Sequence, residues 1–127
     1  MYGIASEIAG TWLCTEYDSH YGLTKNEGKL LIAFRQYCNS RHHAGFQYYL
    51  EHGEELIKAI KDKVENTTEF YDEFGHNVLK PVFEFLINDD PERAYIHYSE
   101  TTLAFMEKFT PDLAGGLAEA MDEREVA

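Results

Sequence analysis

Helix-start signals constrain this chain more than any other feature of it. Asp90-Pro91-Glu92 and Thr110-Pro111-Asp112 each read as an N-cap residue, a proline and an acid. Proline lacks an N–H, and at the first position of a helix that N–H has no intrahelical partner to lose. Thr24 followed by Glu27 forms a capping box, in which each side chain satisfies a free backbone N–H at a helix start. These signals predict a helix through Leu30, Leu31, Phe34, Tyr37 and Cys38, and further helices over residues 81–87, 91–109 and 111–121.

Apolar spacing fills in the rest. Tyr2, Ile4, Ala5, Ile8, Ala9, Trp12 and Leu13 recur every three or four residues, as one stripe of a first helix ending near residues 15–19. After residues 39–43 comes a short aromatic segment, residues 44–50, closed by Gly53. A longer helix is expected from Glu54, with Ile57, Ile60, Val64, Thr67, Tyr71 and Phe74 on one face. The β-branched pair Thr67-Thr68 weakens it, and Gly75 or Asn77 ends it. Gly115-Gly116 is expected to interrupt the last helix. No alternating strand pattern competes, so the fold class is all-α, a bundle of about five to six helices.

The 127 residues match the usual size of one domain, residues 1–127, with residues 122–127 read as a frayed tail. At 44% hydrophobic residues the chain has ample material for a core, which argues against intrinsic disorder. Cys14 and Cys38 have no metal-type spacing and are expected as free thiols of a reducing compartment. The start of the chain lacks the basic region and long apolar run of a signal peptide, and the longest apolar run, residues 30–34, is too short to cross a bilayer. The expected setting is cytoplasmic.

Charge is distributed unevenly. Residues 1–63 carry eight acids and seven bases, whereas residues 64–127 carry fifteen acids and four bases. Such a surface repels nucleic acid and anionic membranes and attracts basic proteins. If one helix runs from Glu54 to Phe74, then Asp62, Glu65, Glu69, Asp72 and Glu73 fall in one sector opposite its apolar face. Glu65, Glu69 and Glu73 would then lie about 6 Å apart along the axis, a row suited to a groove that neutralises successive phosphates. Between Val64 and Asn77 there is no Lys or Arg. With Asp89, Asp90 and Glu92, these acids are the expected partner-binding residues. The same acids also read as a solvated face, and Asp89, Asp90, Glu92 and Asp112 as caps and first-turn acids.

No motif in the sequence specifies catalysis or a cofactor. Glu73-x-x-His76 has the spacing used in carboxylate di-iron bundles, but it occurs once and Gly75 lies within it. Cys38 and His42 sit four apart without a second pair to complete a zinc tetrahedron. His42, His43, His52 and His97 lack a serine elbow, phosphate loop or zinc signature beside them. They read as structural or exposed. Tyr48, Tyr49, Tyr71, Tyr95 and Tyr98 read as core residues with hydroxyls at its edge, or as interface anchors among the acids.

The segment from Ala33 to Gly53 resembles the centre of a family of small, acidic, all-helical bacterial proteins that includes DNA mimics. That family shows a helix followed by Asn-Gly-Gly-Phe-x-Gln and an aromatic pair. Here His43, Ala44, Gly45 and Phe46 stand in that place, followed by Gln47, Tyr48 and Tyr49, with Gln one residue early. The resemblance implies an all-helical fold and a role in blocking a nucleic-acid-binding protein. The motif itself looks structural, so it supplies no binding residue. The leading expectation is a non-enzymatic inhibitor, monomer or homodimer, covering the basic site of a repressor, restriction enzyme or CRISPR effector without binding nucleic acid or membrane itself. The alternatives are an immunity protein for a basic toxin and a metal-binding helical bundle.

Overall fold

The computed structural model describes residues 12–122. Seven α-helical segments occupy almost all of them: α1 (Leu13–Tyr21), α2 (Lys25–Arg41), α3 (His43–Lys63), α4 (Thr67–Phe74), α5 (Lys80–Ile87), α6 (Pro91–Phe109) and α7 (Pro111–Asp122). A π-helical turn, Gly75–Leu79, joins α4 to α5 without a break in helical backbone. The described residues therefore form six helical rods and contain no strand, the all-α bundle expected from the sequence.

α6 is the central rod and packs on α2, α3, α5 and α7. Its buried positions, Ala94, Tyr95, Ser99, Thr102, Met106 and Phe109, recur every three or four residues. Gly45, Tyr49, Gly53, Leu56 and Ile60 form the matching stripe on α3. The core is rich in rings: Tyr71, Phe74, Phe70, Phe105 and Phe109 make tilted and edge-to-face pairs with centroids 5.0 to 6.4 Å apart, the range in which such pairs are attractive.

The starts read from sequence hold where the signal is local. Thr24 Oγ1 accepts from Glu27 N at 3.1 Å while Thr24 N donates to Glu27 Oε1 at 2.9 Å. Asp90 Oδ1 accepts from Arg93 N with Pro91 at the first helical position. Thr110 departs from expectation. Its backbone closes α6, and its buried Oγ1 meets no hydrogen-bond partner among the described residues.

Five boundaries differ from the sequence reading, most of them where a distant contact intervenes. The expected first stripe lies mostly outside the described residues; Trp12, at φ 50°, precedes a helix that runs to Tyr21. α3 takes in the whole aromatic segment and passes through Gly53. A Cβ there would lie 1.9 Å from Trp12 Cδ1, and the indole Nε1 donates to Leu50 O at 3.0 Å. Gly53 is therefore a seat for a ring. The break comes instead at residues 64–66, where Val64 is extended, Asn66 caps α4 through Glu69 N, and Lys63 Nζ donates to Phe109 O at 2.8 Å. Gly75 does not end its helix: it lets the Tyr17 ring lie against the backbone, 2.5 Å from where a Cβ would stand, and the rod continues as a π turn. α7 likewise runs through Gly115-Gly116, with Tyr48 Oη donating to Leu113 O.

Candidate functional site

The break at residues 64–66 divides the expected acidic stripe. Asp62 belongs to α3, between Lys61 and Lys63; Glu65 lies in the connection; only Glu69, Asp72 and Glu73 share α4. The regular row of Glu65, Glu69 and Glu73 on one helix is thus corrected to two carboxylates on α4 and one before its cap. All five acids are exposed. Asp72 has one short-range partner among the described residues, His76 Nε2 at 3.7 Å.

The fold adds acids that sequence reasoning left out. Burial raises the pKa of Tyr17 above the ordinary phenol value, and the charges of Glu27, Tyr21 and Asp72 raise it further. The carboxylates of α2 and α4 therefore bear on one tyrosine of α1. Burial and the Glu16 charge shift the pKa of Tyr71 in the same direction. Tyr17, Glu27, Asp72, His76, Lys80 and Glu84 line one shallow groove beside the π turn. Glu16 and Glu27 sit in the half of the chain whose charges nearly cancel, so no linear count shows them beside α4.

The remaining expected acids are partly occupied by the fold. Asp90 caps α6 and pairs with Arg93 Nε at 3.4 Å. Asp89 is exposed in the turn before it, at φ 59°. Glu92 faces the α2–α3 corner, where its Oε1 accepts from Tyr37 Oη at 2.5 Å and lies 2.7 Å from His42 Nε2. His42, read from sequence as structural or exposed, is 5% exposed and stacks on Tyr95 at 3.6 Å with the planes 4° apart. Its Nδ1 is buried without a partner among the described residues. A proton on Nε2 lets the ring donate to Glu92, which anchors the corner to α6. The partners lie fifty or more residues apart in sequence, so no local pattern announces them.

A second buried polar chain runs from Leu13 N, which donates to Tyr49 Oη at 2.9 Å, through Tyr98 Oη at 3.0 Å to Cys14 Sγ at 3.4 Å. Burial pushes the Cys14 and Cys38 thiols up to about 12. It also raises Tyr49 and Tyr98 well above the ordinary phenol range. These groups are held neutral near pH 7, and neither thiol is a ready nucleophile. The two possible metal pairs are not drawn into a centre: His42 Nε2 turns to Glu92, and His76 lies beside Asp72. Among the described residues no three His, Cys, Asp or Glu side chains converge in a metal-sized cluster, and no helix is long and apolar enough to cross a membrane.

The motif behind the family resemblance is used for packing. Gly45 is buried against Tyr95 and Met121, Phe46 lies under the Arg35 guanidinium at 5.9 Å, and Gln47 Nε2 donates to Asn39 Oδ1. No protein-family model, curated protein or solved structure matches the chain.

Proposed function

We propose that this protein is a non-enzymatic inhibitor of the DNA-mimic type, which binds the basic nucleic-acid-binding surface of a partner protein. The observation that carries the reading is the exposed set Glu65, Glu69, Asp72 and Glu73, with no Lys or Arg between Val64 and Asn77. Glu16, Glu27 and Glu84 extend the field around it. Carboxylates on a stiff rod present fixed negative charge where a cationic groove would otherwise take phosphates. Asp62 lies on α3 beside Lys61 and Lys63, and Asp89 in the turn between α5 and α6, and both are exposed. Asp90 and Glu92 contribute less, because each already serves a contact within the fold.

Association driven this way is fast and weakens with salt. The test is to immobilise the protein, capture partners from the source cell at low ionic strength, and elute with salt in the presence or absence of duplex DNA and RNA. A captured basic protein that salt releases and nucleic acid displaces supports the reading. Capture that nucleic acid does not displace identifies an immunity-type partner instead, and capture indifferent to salt removes the electrostatic basis altogether.

A further inference from the structure

The groove beside the π turn is built by separate parts of the chain. Tyr17 of α1, Glu27 of α2, Asp72 of α4 and Phe83 and Glu84 of α5 line it, together with Leu79 of the turn itself. It encloses about 330 Å³, at the lower end of ligand-sized clefts. Tyr17, Glu27 and Phe83 are half-buried in it, while Asp72 and Glu84 are exposed.

The chemistry of this lining specifies an occupant. Its three carboxylates keep acceptor atoms free: Glu27 gives Oε1 to Thr24 N, Asp72 has His76 Nε2 at 3.7 Å, and the Glu84 carboxylate takes no partner among the described residues. Among those residues they do not converge on a metal-sized point. A space ringed by carboxylates but wider than one ion suits a larger, delocalised cation. Phe83 packs against the core at one side and pairs with no other ring among the described residues, so it offers a face for such a cation. Burial and the Glu27 and Asp72 charges keep the Tyr17 phenol protonated, which leaves it neutral beside them. A guanidinium fits each feature: it is planar and weakly hydrated, stacks on rings and donates in pairs to carboxylates.

We propose that this groove holds the guanidinium of an arginine from the basic partner, stacked on Phe83 and hydrogen-bonded to Asp72 and Glu84, with Glu27 adding negative charge. The source of the arginine rests on the inhibitor reading, which the proposal deepens: the acidic face contains a shaped anchor site, and the contact surface extends from α4 onto α5. Arginine is also the residue that takes phosphates in pairs of hydrogen bonds. Lys80, the one lysine or arginine among the described lining residues, opposes it.

The test titrates the intact ¹⁵N-labelled protein with acetyl-Gly-Arg-Gly-amide and, for comparison, acetyl-Gly-Lys-Gly-amide. Saturable shifts of the Gly75, His76 and Lys80 amide signals are expected, with affinity several-fold higher for the arginine peptide. Glu84→Gln should weaken binding several-fold and Lys80→Gln should strengthen it several-fold. Both side chains are exposed, so these variants report on the groove even where a core change would loosen the fold. Phe83→Leu keeps apolar bulk and removes the ring, and should erase the preference for arginine. No saturable shift at the groove, equal affinity for the two peptides, or a Lys80→Gln variant no tighter than wild type overturns the assignment. Because the titration needs no partner, its failure is distinct from that of the inhibitor reading. A captured protein that nucleic acid displaces, but that binds Glu84→Gln and Phe83→Leu as it binds wild type, would keep the inhibitor and remove the arginine site.

Discussion

Glu92 and Glu73 are the same residue, both on the outside of a helix, and the fold treats them in opposite ways. Glu92 sits in the first turn of α6, where the N-terminal helix dipole favours a negative charge and where Tyr37 and the buried His42 ring need an acceptor. Glu73 sits near the C-terminal end of α4, next to the π turn, where a negative charge gains nothing from the dipole and has no cation among its sequence neighbours. The corner at α2, α3 and α6 consumes its acids in holding rods together, while α4 leaves Glu69 and Glu73 exposed and gives Asp72 only the exposed His76 at 3.7 Å. Uncommitted charge on a rigid surface is what a cationic partner would read.

Reversal of Glu69, Asp72 and Glu73 to Lys together presses hardest on this contrast. Close charge pairs across an interface contribute about 1.5 kcal/mol or more each, so three reversals should weaken capture of the partner on the order of 10³-fold. Circular dichroism should show unchanged helical content, because all three side chains are exposed. Loss of helix in this variant would show that the acids serve the fold after all.

The next effect concerns stability. Glu92→Gln replaces a carboxylate that accepts two hydrogen bonds, one from a nearly buried imidazole, and should cost about 1–3 kcal/mol in denaturant unfolding. Glu73→Gln should stay within about 0.5 kcal/mol, as surface substitutions usually do. Equal costs for the two would erase the distinction between the regions.

Alkaline pH separates them as well. The Cys38 thiol rises from 9.0 to about 12 through burial, then through the Cys14 and Glu92 charges, and the Tyr37 phenol rises from 10.0 to about 12 through burial and its bond to Glu92. Both groups lose their protons more readily in the unfolded chain. The unfolded state then binds fewer protons, so stability is full below about pH 9 and falls as pH rises toward 12. A single such group gives a slope of up to about 1.4 kcal/mol per pH unit. Cys38→Ala should flatten the fall, whereas neutralising Glu69 and Glu73 should leave it unchanged. A wild-type stability that stays level from pH 8 to 11 would contradict the burial of these groups.

What the sequence disclosed follows the range of the forces involved. Thr24 with Glu27 and Asp90 with Pro91 act within one turn, and both starts fall where the pattern places them. Gly53 and Gly75 read locally as terminators, but each is a gap for a ring, that of Trp12 just before α1 or of Tyr17 within it, and that need is invisible until α1 is docked. The helix boundary at residues 64–66 depends partly on Lys63 reaching Phe109 O, forty-six residues away. The acidic surface is legible in composition but not in geometry: the pattern implies a continuous helix where the chain turns, and Glu16 and Glu27 lie in the half of the chain whose charges nearly cancel. His42 was hidden for the same reason, since nothing local distinguishes a histidine that stacks on Tyr95 from one in solvent.

The smallest expected effect gives the finest test, at the cap of α4. Asn66 Oδ1 accepts from Glu69 N at 3.0 Å, and Asn66→Ala should cost about 1 kcal/mol of stability by removing that bond. Asn66→Asp keeps the acceptor and adds a negative charge at the positive end of the α4 rod, so stability should hold or rise slightly. It also adds one more carboxylate between Glu65 and Glu69. If the α4 surface is the contact surface, the aspartate variant should bind the captured partner more tightly at low salt than at high salt, and the alanine variant should bind as wild type wherever it is folded. Unfolding curves and binding measured on the same samples separate the two roles: an aspartate that stabilises α4 without changing affinity would mean that this end of the rod lies outside the contact, and would confine the partner to the Asp72 and Glu73 end.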